Sequence, residues 1–217
     1  MSRREQQEIR RRIAAEAARI LAGEEHLDYA AARRRAARRF PHIDAHALPG
    51  NGEIHQALLD YLQLFHGEEV DAEAARAGLV QRQHRLALQA MQSLKQFGPR
   101  LAPGRGGPQH PIRLHLYAET PEEVILHLLH HHIPHRDGEM SVRFSKGRRE
   151  PRPLLAFEAG DASIELLILT PHDRTDPPLD PLTERPNSGL SIHQLKQLLA
   201  GAQDAPGDSA PDRSGFD

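Results

Sequence analysis

An α+β fold is predicted by three features: a change of hydrophobic period along the chain, a Gly/Pro-rich break where that change falls, and a composition able to fill a modest core. Up to residue 97 apolar side chains recur at helical spacing, and from residue 112 they alternate with polar ones as on a strand. Between them, Gly98 to Pro111 holds four prolines and four glycines in fourteen residues, which reads as a linker or backbone-rich loop. The 217 residues are 38% hydrophobic and 4% aromatic, so the core is built mostly from Leu, Ala, Ile and Val. The expected organisation is an arginine-rich four-helix unit over 1–97, the loop over 98–111, a small mixed-sheet α+β unit over 112–200 and a disordered tail over 201–217.

The first helix is expected over 5–22, where Ile9, Ile13, Ala17, Ile20 and Leu21 share a face and Gly23 follows as a stop. Asp28 caps a second run in which Tyr29, Ala32, Ala36 and Phe40 form an apolar strip, closed by Pro41. After a loop over 41–52, Asn51 caps a third helix carrying Ile54, Leu58, Tyr61, Leu62 and Phe65, and a fourth runs from about Asp71 to Gln96. Ile112, Leu114, Leu116 and Ala118 then alternate with Arg113, His115 and Tyr117, which predicts a half-buried strand. Thr120, Pro121, Glu122 and Glu123 start a helix with a cap, a first-position proline and acids in the first turn. Strands are expected at 140–144, 153–159 and 163–169, the last two joined by a tight turn at Gly160 and Asp161. Residues 171–189, rich in Pro and Asp, should wander over the surface before Ser191 caps a final helix through Leu199.

The absence of cysteine excludes disulfides, thiolate nucleophiles and cysteine-ligated metal sites. No apolar run is long enough for a membrane span, and MSRREQQEIRRR lacks a signal core, so a cytoplasmic address without membrane association is expected. The net charge is -2, and protonating all 15 histidines would take it to +13 below about pH 6.5. Residues 1–40 carry eleven Arg against six acids, a difference of +5, whereas 171–217 carry eight acids against four bases, a difference of -4. An attraction between the two ends is one consequence. Neither G-x-S-x-G, S-x-x-K, a phosphate-binding P-loop nor a dinucleotide fingerprint occurs.

The stretch LAPGRGGPQHPIRLHLYAE, with Glu165 on a later strand, resembles the nucleotidyltransferase fold, in which a Gly-Ser turn precedes a strand bearing two metal-binding carboxylates and a neighbouring strand supplies a third. The order of arginine-rich helices, a YLQLF helix and a strand followed by TPEE also resembles an uncharacterised proteobacterial protein family. The first resemblance implies nucleotide chemistry through Mg²⁺. At the two carboxylate positions this chain has Pro111 and Arg113, and Gly104-Arg105 stands in place of Gly-Ser, so Glu165 is the only matching acid. Arg113 would oppose a cation by charge, and the resemblance therefore implies a pseudoenzyme.

Three further clusters carry chemistry. Gly104, Arg105 and Gly106 with Arg113 could cradle a phosphate through backbone N–H groups and guanidinium charge, although Pro103, Pro108 and Pro111 remove donors and a plain linker has the same composition. His127 and His131, at i and i+4, could bind a divalent metal on one helix face, with His115 on the preceding strand nearby in principle. A solvated histidine-rich helix end is the alternative. Arg33, Arg34, Arg35, Arg38 and Arg39, behind Arg10, Arg11 and Arg12, form a basic patch suited to polyanion phosphates, or a solvated face paired to Glu5, Glu8, Glu24 and Glu25.

The expected function is a non-catalytic nucleotidyltransferase-like accessory protein linked to nucleotide or nucleic-acid binding. The alternatives are an interaction protein binding an acidic partner or nucleic-acid backbone through its N-terminal arginines, and an active Mg²⁺-dependent nucleotidyltransferase recruiting Glu119, Glu158 or Asp161. Only the last requires a cofactor, and none fixes an oligomeric state.

Overall fold

A computed structural model describes residues 3–23, 29–40, 48–66, 71–103 and 110–202. Within these residues the chain is α+β, with helices α1 (Arg3–Gly23), α2 (Tyr29–Ala37), α3 (Asn51–His66), α4 (Asp71–Ser93), α5 (Pro121–His130) and α6 (Ile192–Gly201). One sheet combines β1 (Arg100–Leu101), β2 (Ile112–Tyr117), β3 (Arg136–Arg143), β4 (Arg149–Ala159) and β5 (Ala162–Leu169) in the order β1-β2-β5-β4-β3. β2 and β5 are parallel, and every other neighbouring pair is antiparallel. The expected cap Asp28, the Gly104-Arg105-Gly106 turn and the tail from residue 203 lie outside the described residues.

The helices before the sheet divide between two cores. Ile13, Ala17, Ala32, Ala36, Ile54 and Leu58 pack α1, α2 and α3 together, with alanines at the crossings allowing close approach. α4 buries Ala87 and Met91 elsewhere, with Leu94 just beyond its end, against Leu114, Leu116, Leu166 and Ile168 of the sheet. The four helices expected as one unit are thus a three-helix unit plus a helix of the sheet layer, because the apolar stripe of α4 finds a larger apolar face on β2 and β5. α5, through Val124 and Leu128, and α6, through Leu195, cover the same sheet face. Among the described residues, no helix is long and apolar enough to cross a membrane.

Local signals position these elements. The Glu123 carboxylate accepts from Thr120 N at 3.2 Å at the start of α5, and at α6 Ser191 Oγ accepts from Gln194 N while Gln194 Oε1 accepts from Ser191 N. Gly160, at φ 67°, makes the hairpin turn that pairs Ala159 with Ala162. β4 begins earlier than expected, at Arg149 rather than 153. Pro151 and Pro153 are tolerated because the β4–β5 ladder starts only at Leu154, opposite Leu167, so neither proline removes a ladder donor on that side.

Two segments read as irregular are ordered. Arg100–Leu101 pairs with β2, and Leu101 exchanges backbone hydrogen bonds with Leu190 at 2.8 Å in both directions. This contact needs Gly189, at φ 79°, because a Cβ there would run into the Leu101 carbonyl. The segment 171–189 also does more than wander: Asp173 and Asp180 are buried within it. Asp173 accepts from Thr170 N, Arg148 and Arg152, while Asp180 accepts from the backbone of Leu182 and Thr183. The Arg148 guanidinium lies 3.7 Å from the Phe144 ring centre, so this cluster seals one end of the second sheet face.

Candidate functional site in the cleft over the sheet

The second sheet face carries Arg113, His115 and Tyr117 from β2 with Glu165, Leu167 and Leu169 from β5, as the alternation of each strand requires. It is covered too, so β2 is buried on both sides rather than half-buried: His115 is only 4% exposed and Tyr117 only 6%. Near Arg113 and His115 the cover does not fill the space. A cleft of about 560 Å³ lies between this face, the first turns of α2 and α3, and the 178–187 segment. Its walls are largely apolar, with Leu154, Leu167, Met140, Val142 and Leu179 prominent, and that volume falls within the range of small-molecule sites.

Arg113 and Glu165 are direct cross-strand partners. Glu165 Oε2 accepts from Arg113 Nε at 2.8 Å and from a terminal guanidinium nitrogen at 2.5 Å, with side chains 15% and 5% exposed. Glu165 is therefore a buried ion-pair partner. A magnesium ion does not fit this arrangement, because a guanidinium holds the carboxylate and no group of three potential ligands forms among the described residues. The remaining acids do not converge on it: Glu158 bonds Arg136 at 3.0 Å, Asp161 pairs with Arg82 at 3.6 Å, and Glu119 is exposed at the end of β2.

His115 is the most perturbed group in the cleft. Burial, and secondarily the nearby Arg113 charge, push its pKa down to about 4, so the ring is neutral at physiological pH. Its Nδ1 is buried with no hydrogen-bond partner. At the mouth, Asn51 donates through Nδ2 to the Pro181 carbonyl at 2.9 Å and to Glu184 at 3.3 Å, and Arg143 donates to the same Glu184 oxygen at 3.1 Å. On the roof, the Tyr29 hydroxyl bonds His55 Nδ1 at 2.9 Å, and burial lowers the pKa of His55.

The other expected clusters separate from this cleft. Of the phosphate-binding set, Arg113 lines it, while Gly104, Arg105 and Gly106 fall outside the described residues. His127 and His131 do meet, with ring centres 4.4 Å apart, and Gln96 bonds His127 Nδ1 at 3.0 Å. His115 cannot join them, since α5 covers the opposite sheet face, and no group of three potential ligands forms among the described residues. Burial and the adjacent His131 lower the pKa of His127. In the arginine patch, Arg33 turns to the Pro49 carbonyl and Asn51, and Arg39 pairs with Glu16 at 2.6 Å. Arg34, Arg35 and Arg38 are exposed, and Arg10 is held by Glu53.

Sequence reasoning singled out Arg113 and Glu165, and raised His115 only beside His127 and His131; the structure brings the three to one sheet face, and the mouth was not anticipated. Asn51 was expected as the cap of α3, but it is the first helical residue, Gly50 takes the cap position, and its side chain bonds Arg33, Pro181 and Glu184 instead; nothing in the sequence ties Arg143 to Glu184, 41 residues later. Set against family models, curated proteins and solved structures, the chain matches none. Its class is accordingly that of its architecture and site: an α+β protein with a buried neutral histidine in an apolar cleft beneath a helical unit.

Proposed function

We propose that this chain is a non-catalytic binding protein that holds a nucleotide-sized ligand in the cleft, on a scaffold resembling a nucleotidyltransferase that has given up its metal site. His115 carries the reading. A buried neutral imidazole lines an apolar cavity of ligand size, and its Nδ1 has no hydrogen-bond partner, so a directional polar group with unmet bonding capacity sits at the cavity wall. The apolar walls suit a flat ring, and the Arg113–Glu165 pair cancels the charge that catalysis would need.

Thermal unfolding of the full chain with AMP, ATP, GTP, CTP or UTP, each with and without Mg²⁺, tests this. A rise in midpoint that survives EDTA is expected. A rise that requires Mg²⁺ would reinstate a metal-dependent transferase, and no rise with any nucleotide would remove nucleotides as the ligand. A second reading, polyanion or acidic-partner binding through α2, draws support from exposed Arg34 and Arg38, one helical turn apart.

A further inference from the structure

The mouth of the cleft holds a feature that the nucleotide reading does not use. Arg143 on β3 and Asn51 at the first turn of α3 come from distant parts of the chain, yet both donate to the single oxygen Oε1 of Glu184. Both donors line the cleft. Asn51 is 7% exposed, so its amide is a fixed, desolvated donor, and its place at the start of a 16-residue helix adds the positive end of the helix dipole. Glu184 reaches this position with its backbone at φ 55°, a conformation costly for a side chain of its kind. Its side chain is nearly half exposed, so leaving requires little unpacking.

We propose that Arg143 and Asn51 form an oxyanion subsite at the cleft mouth, which the chain's own Glu184 carboxylate occupies as a displaceable stand-in. The inference rests on the reading of the cleft as a small-molecule site and names the chemistry of its ligand: an apolar body bearing a phosphate monoester or a carboxylate. The oxyanion takes the guanidinium and amide hydrogens from Glu184. The apolar body then lies along Leu154 and Leu167, within reach of His115. Charge-assisted hydrogen bonds of this type carry most of the selectivity for anion over neutral analogue.

The test uses the full chain and three probes with one apolar body: benzyl phosphate, phenylacetate and benzyl alcohol, titrated by ligand-observed NMR. At least one anion should bind about tenfold or more tightly than the alcohol, the scale of one charge-assisted hydrogen bond, and the better one identifies the headgroup. Glu184→Gln should tighten the preferred anion by about tenfold and leave the alcohol unchanged, while Arg143→Gln should erase the preference. Both residues are partly exposed, and circular dichroism and melting of each variant verify the fold. Equal binding of anions and alcohol, or no effect of Glu184→Gln on anion affinity, overturns the subsite and leaves the cleft reading standing. No binding of any probe, joined to no nucleotide-dependent stabilisation, overturns both.

Discussion

Replacing Glu165 by Gln should destabilise the protein by about 3 kcal/mol, the lower end of what breaking a buried ion pair costs. The magnitude follows from the burial: the Glu165 side chain is 5% exposed and takes two hydrogen bonds from Arg113, itself 15% exposed. Gln keeps the volume but removes the charge, so the guanidinium is left inside the cleft without its counter-ion. Arg113→Met together with Glu165→Leu should instead lie within about 1 kcal/mol of the parent, because removing both charges also removes both desolvation costs. Urea unfolding followed by circular dichroism, with midpoints and slopes compared across the parent, Arg113→Met, Glu165→Leu and the double variant, gives the coupling energy directly. A Glu165→Gln protein as stable as the parent would refute the reasoning. It would mean that Glu165 is held as a spare carboxylate, the condition a metal ligand would satisfy.

Acidification should weaken the fold through His115. Its folded pKa of about 4 lies below the ordinary 6.5, so between these values the unfolded chain binds more protons and stability falls as pH falls. At about 1.4 kcal/mol per pH unit the full loss is about 3 kcal/mol, reached near pH 4, and His115→Leu should flatten the decline between pH 6.5 and 4. Gly189→Ala should cost more than about 1 kcal/mol in the same unfolding assay, since it combines a left-handed φ with a clash at the Leu101 carbonyl. If α2 binds polyanions, Arg34→Ala with Arg38→Ala should lower affinity for a nucleic-acid duplex and reduce the slope of its salt dependence by up to about 2. An unchanged slope assigns those arginines to solvent.

What was legible in the sequence is what short-range chemistry dictates. The alternation of Ile112, Leu114 and Leu116 fixed which side of β2 meets the helices, and Thr120, Ser191 and Gly160 marked element ends where the structure has them. What was not legible depends on partners distant in the chain. β1 is two residues long and owes its order to β2 and to Leu190, which no local pattern announces. The apolar stripe of α4 showed that a face is covered, not that the cover is the sheet. The Pro- and Asp-rich 171–189 segment resembled a surface loop because its acids look solvated, yet Asp173 and Asp180 are buried by satisfying backbone and arginine donors. The site divides in the same way: Arg113 and Glu165 could each be singled out, but their pairing follows from the parallel register of strands 52 residues apart.

The cleft itself is tested most directly by blocking it. Gly138 lines it from β3 with an ordinary backbone, and a Cβ there would make only an ordinary contact, 3.5 Å from the Leu154 carbonyl oxygen, so Gly138→Trp can place an indole in the cavity without backbone strain. The measurement is the thermal midpoint of parent and Gly138→Trp in EDTA, with and without AMP. The account predicts a nucleotide-dependent rise in the parent that is lost in the variant. A rise of equal size in both proteins would place binding elsewhere and contradict it, as would no rise in the parent.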